Sequence, residues 1–227
     1  MRKLALSVVL ALASPLAFAG SVSGTVTLAS DYLFDGASQT QGDMAFQTAL
    51  DWSGDSGFYL GTWFSNVDFG EIDGEPDPAD SEVDFYGGYG WEAEGGWAFA
   101  VGFVRYTYNG ASDYNYTELT SSVTFPFGTE VLAYFADDDV LGGSAYRVKG
   151  KHSIALPADF SLDLEATHTN YSSADFVDFN HAQVGVSRAF GPVTAYLGYS
   201  DTDDNDNVAR DGTFLFTVSA SADLFSY

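Results

Sequence analysis

The residues best placed to do chemistry fall in one short stretch. Arg147, Lys149 and Lys151 occupy alternate positions, and beyond Pro157 the chain offers Asp163 and Glu165, again at alternate positions. Alternation of this kind puts side chains on one face of a β-strand. A turn at 156–158 sets Lys151 opposite Asp163 and Lys149 opposite Glu165. A turn at 157–159 sets Lys151 opposite Glu165 instead. Either register places Lys151 beside a carboxylate and Arg147 above it, toward an outer mouth. Asp31, Asp84 and Glu118 lie on the polar parity of three other segments and supply negative charge elsewhere. Two roles suit such a set. It could impose a transverse field that tunes ion selectivity in a narrow pore. Equally, it could be a ladder of opposite charges that fills a small lumen, each pair contributing tenths to about 1 kcal/mol. Asp31, Asp84, Glu118, Arg147, Lys149, Lys151, Asp163 and Glu165 are therefore the candidate pore-lining residues.

Other groups carry weaker signals. Acids cluster at Glu71, Asp73, Glu75, Asp77 and Asp80, at Asp137, Asp138 and Asp139, and at Asp201, Asp203, Asp204 and Asp206. The last group resembles the start of a Ca²⁺ loop, but Gly212 stands where the closing glutamate would be, so the motif is broken. Solvated loops are the simpler reading. The three histidines are His152, His168 and His181. No G-x-S-x-G occurs and no third partner for a hydrolase is evident, so no catalytic residue is assigned.

The elements that would position these residues are strands. Period-two alternation recurs through the chain, for example Phe46, Thr48, Leu50 and Trp52 against Gln47, Ala49 and Asp51, or Phe214, Phe216 and Val218 against Thr217 and Ser219. Counting such segments predicts twelve strands. The connections alternate in length: long near 35–42, 68–81, 108–114, 136–143, 171–177 and 200–211, short near 53–56, 92–95, 126–128, 157–159 and 190–192. This is the signature of an all-β, closed, antiparallel, up-and-down transmembrane β-barrel with both termini on the periplasmic side. Tyr32, Phe34, Trp52, Trp91, Trp97, Tyr146, Phe190, Tyr199 and Phe214 fall at strand ends, where aromatic girdles would lie. A soluble sandwich would also alternate, but its apolar parity would point inward. In the barrel, Leu50, Phe85, Phe99, Val123, Val148, Leu162, Leu197 and Phe216 should face outward.

Residues 1–19 read as a cleaved secretory signal. Arg2 and Lys3 precede the apolar run Leu4–Leu12, and Ala17-Phe18-Ala19 forms the cleavage site, leaving 20–227 as the barrel domain. Losing those two bases takes the formal charge from −24 to −26. Nucleic acid is excluded as a partner on this charge, because it requires a basic footprint. There is no cysteine.

Several segments resemble the TorF family of outer-membrane porins, also called the Gcw_chp domain. They are Val22-Ser23-Gly24 with Ser30-Asp31-Tyr32-Leu33-Phe34, then Gly36–Thr40, Ser56–Tyr59, Trp63–Phe69 and Glu82–Tyr89. The likeness is dense over 22–110 and diffuse afterwards, and it implies a proteobacterial outer-membrane barrel. Two features depart from it. Asp35 stands where the family pattern carries a basic residue, which removes a basic contact at that rim. In the last strand, Phe216, Val218, Ala220, Ala222 and Leu224 share one parity while Phe225 and Tyr227 take the other; a bulge near 222–225 would bring them into phase.

The resulting expectation is an outer-membrane porin-like channel for passive diffusion of small hydrophilic solutes or ions, with lipid around it, no cofactor and no bound metal. No inserted segment is long enough to form a plug domain. A surface-interaction barrel with an occluded lumen is the alternative, and an outer-membrane lipid enzyme a more remote one. Oligomeric state is not encoded in any readable pattern.

Overall fold

The computed structural model describes residues 20–72, 75–174, 176–204 and 212–226. The signal segment, Asp73, Asp206 and Tyr227 lie outside them. Twelve antiparallel strands close into a barrel in simple sequence order. They are β1 (Ser21–Ala29), β2 (Ala45–Ser53), β3 (Phe58–Asn66), β4 (Ser81–Ala93), β5 (Trp97–Asn109), β6 (Tyr116–Thr124), β7 (Glu130–Asp138), β8 (Gly143–Ala155), β9 (Phe160–Tyr171), β10 (Phe179–Phe190), β11 (Val193–Thr202) and β12 (Thr213–Ser226). Each pairs with its chain neighbours, and β1 pairs with β12 to complete the closure. Closure gives every strand of the barrel a neighbour on both sides.

The apolar parity faces outward. Phe85 is 52% exposed and Leu197 57%, and Leu50, Val148 and Phe216 are exposed with them. Phe99, Val123 and Leu162 are half-buried because outward neighbours cover them. Phe99 stacks against Trp91 at 5.4 Å and stands opposite Val123, while Leu162 lies between Ile154 and Val186. The buried residues instead include Glu82, Asp84, Glu118, Arg147, Thr167, Thr169, His181, Ser187 and Ser200, and the hydrophobic ones among them are mainly alanines and aromatics such as Tyr59, Trp63, Tyr106, Tyr116 and Tyr196. A soluble sandwich reverses this arrangement, and a membrane barrel requires it.

The end of the barrel that holds the termini carries an aromatic band. Phe58, Tyr89, Trp91, Phe99, Trp97, Phe125 and Phe127 follow one another at centroid spacings between 4.8 and 6.4 Å. Tyr32 and Phe34, expected in a girdle, are not part of one. They turn inward, as described below.

The last strand contains the bulge that its parity required. Val22 pairs with Phe225 and Ser23 with Asp223, so Leu224 is passed over. The extra residue returns Phe225 to the outer face, where it is exposed. Gly24 makes room for this, since a Cβ there would stand 3.3 Å from Leu224 Cδ1.

One connection is shorter than its composition suggests. The sequence predicts a long loop near 136–143 that would hold Asp137 and Asp138, but β7 runs through both. A single 3₁₀ turn at Asp139–Leu141 then reverses the chain. Asp138 caps it by accepting from the Val140 amide at 3.1 Å, and Gly142 closes it in the left-handed region.

Candidate functional site

The connection from β1 to β2, residues 30–44, turns back into the barrel. Its tip is a miniature hairpin in which Leu33–Phe34 pairs with Ala37–Ser38 across Asp35-Gly36. Both central residues have positive φ, 48° and 84°. That is the requirement of a type I′ turn, which Asp-Gly meets at low cost. The hairpin is braced from behind by Asp31. Its carboxylate accepts from Ser38 Oγ at 2.7 Å and Thr40 Oγ1 at 2.9 Å, and the Gln39 amide donates to the Tyr32 carbonyl at 2.7 Å. Aromatic contacts seat it against the wall: Tyr32 meets Trp63 edge-on at 5.2 Å, and Phe34 meets Tyr106 at 6.0 Å.

This hairpin delivers Asp35 to the basic strip. The Asp35 side chain is 1% exposed. One carboxylate oxygen accepts from Arg147 Nη1, and the other lies 2.6 Å from Lys149 Nζ and 3.4 Å from Thr167 Oγ1. Arg147 turns its second terminal nitrogen to Glu118 Oε2 at 2.5 Å. Its guanidinium lies between the Phe34 and Tyr134 rings, 4.5 and 4.3 Å from their centroids. Glu118 also accepts from Tyr106 Oη at 2.8 Å. Glu165 serves both lysines, at 3.0 Å from Lys149 and 3.5 Å from Lys151. The network thus alternates sign, with three bases held by three acids. Removing one partner of a buried pair leaves the other uncompensated, at about 3–5 kcal/mol. Burial alone would raise the Asp35 carboxyl, but Lys149 and Arg147 beside it outweigh that and hold it well below the usual carboxylate range.

The register is the one set by the later turn. Lys151 stands opposite Glu165, and Lys149 opposite Thr167. Asp163 consequently leaves the network. It faces Ser153, whose hydroxyl donates to it, and accepts from Ser187 Oγ at 2.6 Å. Asp31 is not on a strand, because β1 ends at Ala29. Its place in the connection makes it a brace for the hairpin. Asp84 is buried on β4, across from Trp63 and Tyr106, in a patch it shares with Glu82. Glu82 is 1% exposed, and its Oε1 accepts from Tyr108 Oη at 3.0 Å. The basic strip is therefore not a bare positive stripe, since every base in it is already paired.

Sequence reading missed Asp35, Phe34, Glu82 and His181 as interior groups. The family resemblance places Asp35 at the rim, whereas the Asp-Gly pair next to Tyr32-Leu33-Phe34 is the local signal for a hairpin. His181 is buried, with Nε2 2.9 Å from Ser200 Oγ and Nδ1 3.8 Å from Glu165. His152 and His168 instead meet Thr129 Oγ1 and Asn180 Oδ1, each at 3.0 Å. Asp35, Glu165 and His181 bring ligand-type atoms within 4.8 Å of one another. A metal does not suit them, because the Lys149 ammonium already lies on both carboxylates.

Small residues let the interior tyrosines lie flat. Tyr196 covers Gly185 and Gly198, where a Cβ on either would collide with its ring. Its hydroxyl accepts from Gln183 Nε2 at 2.9 Å.

Solved structures share the fold at low identity. A KdgM porin in complex with disordered oligogalacturonate aligns with a TM-score of 0.57 and 9% identity, over 90% of this chain and 99% of its own. The NanC porin in a rhombohedral crystal form gives 0.57 and 10%, over 90% of this chain and all of its own. No curated protein sequence matches. The profile of a family described as bacterial protein of unknown function (Gcw_chp) matches residues 13–223, and the chain belongs to that family.

Proposed function

We propose that this barrel is an outer-membrane porin-like channel for passive diffusion of small hydrophilic solutes or ions, narrowed by the hairpin at 33–38. The observation that carries this reading is the inversion of the faces. An apolar exterior suited to lipid surrounds a wall of buried charges and hydroxyls. Removal of the signal segment would leave 20–227 to insert, with outer-membrane lipid against Leu50, Phe85, Val148, Leu197 and Phe216. The porin role carried by the TorF resemblance belongs to the same reading. Asp84, Glu118, Arg147, Lys149, Lys151, Asp163 and Glu165 would line the path, with Asp31 and Asp35 acting from the hairpin side.

A second reading, a barrel with an occluded lumen, is favoured by one observation: Asp35 closes a buried ion network inside the wall. Planar-bilayer conductance of two proteins separates them. One is the full mature chain. In the other, Asn-Gly replaces residues 33–38, which is sterically simple because Tyr32 and Gln39 are already hydrogen-bonded. Small steps in the first and larger ones in the second support a channel narrowed by the hairpin. A silent native chain with a conducting variant supports the occluded barrel. Silence in both refolded proteins rejects the channel.

A further inference from the structure

The seat that holds Asp35 belongs to the wall and not to the hairpin. Arg147 and Lys149 extend from β8, Thr167 from β9, and the Tyr134 ring backs the guanidinium from β7. Each Asp35 oxygen takes one cation, so the seat recognises a flat, two-oxygen anion, the geometry of a carboxylate. The ion pairing is equally specific. Arg147, Lys149 and Lys151 are met by Glu118 and Glu165 from the wall and by Asp35 from the hairpin. Glu130 stands opposite Lys151 and adds negative charge at that end of the strip. Withdrawing the hairpin therefore empties the two-oxygen seat at Arg147 and Lys149, where a single negative charge replaces the one that is lost. A dianion would bring its second charge against Glu118 and Glu165, which already share the same cations. The hairpin lies outside the barrel ladder, so its withdrawal gives up the Tyr32–Trp63 and Phe34–Tyr106 ring contacts, the Phe34 face on Arg147 and the Asp35 ion pairs, but no strand-to-strand hydrogen bond of the barrel.

We propose that Asp35 is a built-in stand-in for a solute carboxylate, and that the Arg147–Lys149–Thr167 seat binds monocarboxylate solutes that displace the hairpin. This deepens the channel reading and rests on it, since such a solute reaches the seat through the lumen. Asp35 competes from the same chain, at an effective concentration of order millimolar or above. The native chain should therefore bind an added carboxylate at least about tenfold more weakly than a chain without Asp35.

The test is calorimetric titration of the refolded mature chain in detergent micelles, with D-gluconate, D-glucose and D-glucose 6-phosphate as probes. Asp35→Ala should bind gluconate at least about tenfold more tightly than the native chain does. It should bind gluconate over glucose and over glucose 6-phosphate by a similar factor, and lose this preference when Arg147→Gln and Lys149→Gln are added. Asp35→Asn, which keeps the shape of the turn, serves as the second variant should the alanine protein fail to refold, and should show the same order of probes. Equal binding of gluconate and glucose to a refolded Asp35 variant overturns the inference. So does tighter binding of the phosphate, or gluconate binding that survives loss of Arg147 and Lys149. The channel reading is judged separately: a hairpin-replaced chain that conducts, with no gluconate preference in micelles, keeps the channel and rejects the carboxylate seat.

Discussion

Asp35 and Arg147 lie 112 positions apart in the chain and share a buried ion pair, formed because a two-residue turn carries the acid to the opposite wall of the barrel. The pair joins a connecting segment to β8, and through Glu118 to β6. Its consequences can be tested one at a time.

Asp35→Ala should loosen the hairpin without opening the barrel. Arg147 keeps Glu118 and Lys149 keeps Glu165, so the cost should fall near the lower end for a broken buried pair, about 3 kcal/mol. The temperature at which the folded band is lost in unheated-versus-heated SDS gels should drop relative to the native chain. Asp35→Asn should drop it less.

The latch should resist mild acid. Burial opposes the charged form of Asp35, but Lys149 and Arg147 outweigh it, so its carboxyl is depressed when docked. A depressed acid stabilises the docked state fully above the ordinary carboxylate range near 3.9, and that stabilisation is lost as pH falls below it. The conductance difference between the native chain and Asp35→Asn should be the same at pH 5 and pH 7 and should shrink only below about 4. Taking the difference separates Asp35 from the other interior carboxylates, Glu82 and Asp84. A difference that changes in a step centred near pH 6 would contradict this assignment.

Selectivity should follow the paired acids. Replacing Arg147, Lys149 and Lys151 by Gln leaves Asp35, Glu118 and Glu165 uncompensated, so cation preference measured by reversal potential should rise. An unchanged reversal potential in a correctly folded triple variant would show that the strip only fills the lumen.

Glu165 and Asp163 should separate. Glu165 touches two lysines, whereas Asp163 is held by Ser153 and Ser187. Glu165→Gln should shift the reversal potential toward anions, and Asp163→Asn should leave it within error.

Gly198→Val should destabilise the barrel by about 1–3 kcal/mol, because the added side chain collides with the Tyr196 ring. Heat-modifiability should fall for this variant and recover in part when Tyr196→Ala is added.

The barrel itself was legible in the residues. Strand number, the outward parity of Leu50 and Phe216, and the need for a bulge near Leu224 all follow from a period of two, which is a property of neighbouring positions. The same local rule put Arg147, Lys149, Lys151 and Glu165 on one face. Local rules also misled in places: Asp137 and Asp138 look like loop residues but end a strand. The register at the 156–159 turn was open between two choices, because Leu156 and Asp159 leave the turn length ambiguous; pairing of β8 with β9 along their whole length decided it, and with it the separation of Asp163 from the lysines. Only the closed barrel could decide where the first connection goes. Asp35 has no local reason to be buried, and as an isolated acid it would remain in water. It enters because closure brings β8 across from β1, so two cations 112 and 114 positions away stand where the turn ends, and their charge offsets the loss of its hydration.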